Sequence, residues 1–236
     1  MNFANAFTPE RLQEAWECFL NEFPLAIWET LYSTLLATLF AVVIGLPLGV
    51  LLVTGEQKGI RPLPRPLMSF LNVLINLLRS VPFIILMVMI IPLTRVIVGT
   101  SVGTMASVIP LTVAAFPFIA RLVESSLREV NPNIIEAAQS MGAGSWQIVF
   151  HVMLPESVPS LITNITLAIT TIMGYTAMSG AVGGGGLGKL ALSYGYQRYR
   201  FAILYLAVIV LVIITQIIQS FGTWLARKCD RRLKEK

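Results

Sequence analysis

The residues able to do chemistry are few and scattered. His151 is the only histidine, and no second ligand or nucleophile stands near it in sequence. Cys18 and Cys229 share no CxxC spacing, which suggests neither a metal site nor a redox pair. Glu124 and Arg128 sit four residues apart, a spacing that supports a helix rather than proton transfer. Gly183–Gly188 followed by Lys189 nearly matches the phosphate loop GxxxxGK[ST]. Leu190, however, replaces the hydroxyl that would hold magnesium, and no strand precedes it. Gly180 to Gly188 reads instead as a flexible or tightly packed turn, either a docking point for an outside partner or purely structural. Without paired carboxylates, a histidine cluster or a Ser–His set, the chain shows no catalytic constellation and no cofactor or metal site of its own.

The remaining polar residues stand inside apolar runs. Arg79 is the most costly, at ~2.5–3.5 kcal/mol or more for an arginine at the centre of a membrane helix. Asn72 and Asn76 precede it by seven and three residues, on the same helical face. Two readings stand. The three residues form a stripe lining a pathway, with Arg79 meeting a substrate carboxylate; or Arg79 is satisfied by backbone carbonyls freed at Pro82. Thr163, Thr166, Thr170, Thr171 and Asn164 give a later run a polar cast. Such side chains usually bond neighbouring helices or their own backbone. Tyr175 and Met178, with Met173, are candidates for a soft gate, although methionine is also a common core filler.

These residues need a scaffold, and composition defines its class. In 236 residues only 12% are charged while 56% are hydrophobic, and mean hydropathy is +0.77. That excludes a disordered chain, a disulfide-stapled domain and an ordinary soluble enzyme. The expected fold is an all-α polytopic membrane protein with five spans: 31–54, 67–93 bent at Pro82, 97–120 broken up by Pro110 and Pro117, 161–181, and 201–225. Within the first, Gly45 and Gly49 form a small-xxx-small face for close helix contact. Ahead of it, Thr8-Pro9-Glu10 opens a helix that stops before Pro24. Its apolar face, with Leu12, Trp16 and Leu20, either lies in the membrane interface or packs on the bundle.

Five spans put the termini on opposite sides. With the C-terminus cytoplasmic, eleven Lys and Arg lie inside (Lys58, Arg61, Arg65, Arg121, Arg128 and six in the tail) against five outside, which favours N-out and C-in. The excess of positive charge therefore sets orientation and does not imply nucleic acid.

The segment from Asn131 to Pro155 carries the function. Asn131 caps a helix, Pro132 opens it and Gly142 closes it. Gly144-Ser145 starts a second helix, expected to end before Pro155. This predicts a polar helix–turn–helix on the cytoplasmic side. Glu136 offers a directional acceptor, and Ala137 and Ala138 allow close approach.

Glu136-Ala137-Ala138, three residues, Gly142, nine residues and Val152-Met153-Leu154-Pro155 resemble the EAA-x3-G-x9-I-x-L-P motif of the permease subunits of binding-protein-dependent ABC importers. Val152 for Ile is the one departure. Leu78–Leu86, Ile91–Ser101, Pro117–Arg121, Gly174–Met178 and Gly180–Gly183 are similar to the methionine-uptake branch. The resemblance implies a type I importer permease acting as a homodimer in the bacterial inner membrane. Two ATPase subunits would sit inside, holding the ATP and magnesium, and a substrate-binding lipoprotein outside. It assigns contact with the ATPase to Glu136, Ala137, Ala138 and Gly142, and support of the return helix to Leu154 and Pro155. The implied organisation is an extracytoplasmic amphipathic helix in 1–30, a transmembrane permease domain in 31–225 with its coupling loop at 122–160, and a basic tail at 226–236. The competing reading is a stand-alone secondary transporter or channel for a small polar solute. That reading leaves the helix–turn–helix without a purpose. An intramembrane enzyme is disfavoured by the missing catalytic groups.

Overall fold

The computed structural model describes residues 8–57 and 59–230. Helices follow one another along the chain: α1 (Pro9–Asn21), α2 (Phe23–Thr54), α3 (Arg65–Ser80), α4 (Phe83–Val98), α5 (Thr104–Arg128), α6 (Pro132–Ser140), α7 (Ser145–Ile148), a π-helical turn (Val149–Met153), α8 (Leu154–Ser179), α9 (Gly186–Lys189) and α10 (Phe201–Cys229). Among the described residues, four helices are long and apolar enough to cross a membrane, or five if α3 and α4 form one broken span.

Several boundaries differ from the sequence expectation, and proline explains most of them. α1 does stop before Pro24, at Asn21, but Pro24 itself lies in the first turn of α2, where a missing N–H costs nothing, so the first span starts at Phe23 rather than Leu31. Pro110 and Pro117 do not break α5, which runs uninterrupted to Arg128. Ile97 and Val98 close α4 instead, and Gly99 at φ +82 caps it in the left-handed region. Pro82 does more than bend a span. It forces Val81 into extended backbone and separates α3 from α4. Of the basic tail, Arg227 and Lys228 continue α10, and residues 231–236 lie outside the described residues.

The chain forms two compact units. The first comprises Met1–Thr38, Pro82–Val113 and Ile169–Ile218, the second Leu39–Val81, Ala114–Ala168 and Gln219–Lys236. In the first unit α1 is packed rather than free. Ala15 and Phe23 are buried in one cluster with Leu187, Leu190, Ile203 and Ala207, and Cys18 and Phe19 pack against it. Glu14 pairs with Arg200, and Arg11 donates to the Tyr199 carbonyl at 3.3 Å. Leu12, Trp16 and Leu20 still point outward, so the helix keeps an exposed apolar face. Burial pushes the Cys18 thiol up; Glu22 adds to this, Arg200 opposes it and Glu14 adds again.

The glycine segment of this unit is tightly packed and not a phosphate cradle. The Gly186 N–H donates to Glu29 Oε2 at 2.6 Å, and the Leu187 N–H to Thr30 Oγ1 at 2.9 Å. Those amides are therefore already taken. A Cβ on Gly188 would lie 2.2 Å from the Ala177 carbonyl oxygen, whereas one on Gly174 meets open space. Gly188→Ala should therefore force a backbone shift costing ~1–3 kcal/mol or more. It should lower the thermal midpoint of the detergent-purified protein by several degrees, with Gly174→Ala as a silent control.

In the second unit the small-residue face of α2 does what its spacing predicts. A Cβ on Gly45 would stand 2.9 Å from the Phe116 carbonyl oxygen, and one on Gly49 2.6 Å from Val123 Cβ. Only glycine lets α2 lie this close to α5. Leu52, Ile75 and Ala120 form the buried apolar cluster of this unit, with Leu48, Met68 and Leu71 around it.

Candidate functional site

The helix–turn–helix folds as its caps dictate. Asn131 Oδ1 accepts the Asn133 N–H at 3.0 Å and so satisfies one of the free donors at the start of α6. At the other end Gly142 adopts φ +80, and the chain reverses with the Ala143 N–H on the Ala138 carbonyl at 3.1 Å. Gln147 Oε1 reaches back to the Gly144 N–H at 2.8 Å and starts α7.

The return strand of this arm overturns one expectation. It does not end before Pro155. From Ser145 the helix continues through the π turn to Val182, 38 residues without interruption. The Leu154 N–H donates to the Val149 carbonyl, five residues back, so the helix is already out of its usual register where Pro155 enters. Leu154 is half-buried and Pro155 exposed. The turn of the arm thus leads directly into a helix long and apolar enough to span a membrane.

The exposed surface of α6 is only partly the one the motif suggests. Glu136 and Ala137 are exposed, but Ala138 is buried and faces its own chain. Ile134 and Met141, three and four residues to either side of Ala137, are exposed, Met141 at 83%. Sequence reasoning missed both; their i, i+3, i+7 spacing with Ala137 was the available signal. The arm therefore presents an apolar stripe, Ile134–Ala137–Met141, beside the carboxylate of Glu136.

Behind the arm lies a polar network of which the sequence indicated only the Glu124–Arg128 pair. Arg121 in α5 donates to Asn72 Oδ1 at 2.8 Å, Asn76 Oδ1 at 3.1 Å and Glu124 Oε2 at 2.7 Å. Glu124 also accepts from Arg128 Nη2 at 2.8 Å, and Arg128 reaches Glu56. Glu124 is buried, so its charge must be paired there. Six side chains from α3, α5 and the loop after α2 are joined, and Arg128 stands three residues before the arm's cap. Asn164 reinforces the same end of α5 through Ser126 Oγ at 2.8 Å.

The expected polar stripe on α3 is consequently divided. Asn72 and Asn76 are engaged by Arg121 and not grouped with Arg79. Arg79 is exposed and makes no bond to carbonyls near Pro82 among the described residues. In α8, Tyr175 stacks on Phe83 with ring centroids 4.7 Å apart and planes 9° apart. Met173 is buried and accepts a bond from Thr215, which places it in the core rather than a gate. Met178 is exposed one turn beyond Gly174, which is exposed too. Thr163, Thr166 and Thr176 bond the carbonyl four residues back on their own helix. His151 is exposed on the return strand. Among the described residues no group of acids, cysteines and histidines has metal-binding geometry.

These features define a helical membrane protein with a polar arm that leads into a span. The chain belongs to the family of binding-protein-dependent transport system inner membrane components, whose model matches residues 45–235. It is 47% identical over 207 residues to the probable D-methionine transport system permease protein MetI of Vibrio cholerae, covering 88% of this chain and 92% of that one. Against the methionine import system permease protein MetP of Bacillus subtilis it is 42% identical, over 70% of this chain and 74% of that one. It superposes on a chain of the inward-facing MetNI methionine ABC transporter with a TM-score of 0.86 at 44% identity, covering 89% and 96% of the two chains. A histidine-bound amino-acid ABC transporter shares the fold, with a TM-score of 0.75 at 18% identity. The fold is the all-α type I ABC importer permease fold expected from the sequence.

Proposed function

We propose that this chain is the permease subunit of an ABC importer for methionine. It works as a homodimer with two ATP-hydrolysing subunits and an extracytoplasmic binding lipoprotein. The observation that carries the reading is the arm: a capped helix with Glu136 and Ala137 outward, closed by a left-handed Gly142 and joined without interruption to a span. The names of the relatives support the substrate, with either enantiomer admitted. The bias in basic residues supports N-out and C-in, with the arm in the cytoplasm.

In this reading the chain makes and breaks no bonds. ATP and magnesium belong to the partner, whose closure moves α6. The movement reaches the bundle by two routes, the continuous Ser145–Val182 helix and the Arg121 network at the end of α5. Transport direction then follows from which of two states each ligand stabilises. Arg79 supports the dimer as well. An arginine exposed on one chain at membrane depth is costly unless a second copy or a water-filled pathway covers it. We assign Arg79, Tyr175 and Met178 to that pathway. Asn72 and Asn76 enter it only through their hold on Arg121.

Proteoliposomes containing this chain, its ATPase and its binding protein should accumulate methionine only when ATP is supplied to the ATPase side. Uptake by the purified chain alone, driven by a proton or sodium gradient, would contradict the proposal and favour the stand-alone transporter.

A further inference from the structure

A groove of about 350 Å³ opens beside the arm in the second unit, between the end of α2, the loop after it and the return strand. Leu51, Leu63, Phe150 and Leu154 give it apolar walls, and Arg61 stands at its edge. Trp146 and Phe150, stacked with centroids 5.9 Å apart, are 61% and 57% exposed. The Arg61 guanidinium lies 5.9 Å from the centre of the Trp146 ring. Unlike Arg65, Arg121 and Arg128, it has no hydrogen-bonded side-chain partner among the described residues.

We infer that this groove binds one anionic phospholipid, with an acyl chain along the apolar walls and the phosphate on Arg61. Three observations favour that occupant over a protein. Leu51, Phe150 and Leu154 belong to helices long and apolar enough to span the membrane, and Leu63 to the loop that closes the groove. Trp146 sits where such a helix begins, the position of an interfacial aromatic. The rim supplies a cation that has no ion-pair partner among the described residues. The bound lipid braces the return strand, because its chain rests on Phe150 and Leu154. The inference relies on the membrane-spanning reading of α2 and of the Ser145–Val182 helix, and not on the substrate.

The test uses the full chain with Trp146 as its sole tryptophan (Trp16, Trp28 and Trp224 replaced by Phe). It is reconstituted in phosphatidylethanolamine vesicles with a small fraction of brominated phosphatidylglycerol or brominated phosphatidylethanolamine. The anionic lipid should quench Trp146 at roughly fivefold lower mole fraction than the zwitterionic one, the factor one basic residue near an anionic headgroup confers. Arg61→Gln should remove the preference and Arg61→Lys should keep it. A variant retaining only Trp28 should show none. Equal quenching by the two lipids, quenching by neither, or a preference that survives Arg61→Gln would overturn the inference. ATP-driven uptake by the chain reconstituted with its ATPase and binding protein in vesicles of the same lipids reports on the permease reading separately.

Discussion

Arg121→Ala is expected to lower the stability of the folded subunit by ~3 kcal/mol, because three charge-assisted bonds disappear and their partners stay behind. Asn72 and Asn76 lose their donor, and buried Glu124 keeps only Arg128. Arg121→Lys should recover part of this loss. An ammonium keeps the charge, but it cannot reproduce the guanidinium's fork across α3 and α5. Thermal unfolding in detergent checks both, and an Arg121→Ala midpoint equal to wild type would dismiss the network as structurally idle. The network also ties α3 to the helix that enters the arm. At temperatures where the variant stays folded, its uptake per ATP hydrolysed should therefore fall below that of wild type.

Gly142→Val should have the larger effect on transport and a smaller one on folding. Nothing lies within 4 Å of a Cβ at Gly142, so the substitution creates no clash. Its cost is the φ of +80, which a β-branched residue adopts only with ~1–3 kcal/mol of strain. The tip of α6 then relaxes away from the closed turn, and Glu136 and Ala137 are displaced. Uptake in the reconstituted assembly is expected to fall at least ~10-fold, the equivalent of ~1.4 kcal/mol of misplacement. The subunit should still be inserted, and ATP hydrolysis by the partner should continue. Wild-type uptake from Gly142→Val would show that the turn does not position the coupling surface.

Local signals were the readable part of this sequence. The capping of α6 by Asn131, the left-handed turn at Gly142 and the close packing at Gly45 and Gly49 depend on neighbours along one or two helices. Their residue types therefore announced them. Helix ends were less legible wherever proline was involved. Pro24 sits in a first turn, Pro110 and Pro117 lie within a helix that does not stop, and Pro155 follows a π turn. At Pro110, Pro117 and Pro155 the surrounding bundle overrides a local preference worth about 3 kcal/mol, whereas Pro24 in a first turn meets none. Long-range pairings were not legible at all. Glu29 accepts the Gly186 N–H across 157 positions, and Arg121 meets Asn72 across 49. Nothing in the spacing of Asn72 and Asn76 separates Arg121 from Arg79 as their partner. The inward turn of Ala138 was hidden for the same reason, since the motif gives residue types and not which side of α6 faces the chain itself.

In the proposed function α6 is driven by a nucleotide-powered subunit on the inner face of the membrane. The most direct measurement is site-specific cross-linking from Ala137→Cys, in a chain whose Cys18 and Cys229 are replaced by Ser, within the assembly reconstituted with its ATPase. Cysteine at this exposed position should form a cross-link to the ATPase subunit, and the cross-linked assembly should lose ATP-driven uptake. Labelling of the same cysteine in intact cells by a membrane-impermeant maleimide, or full uptake by the cross-linked assembly, would contradict the account.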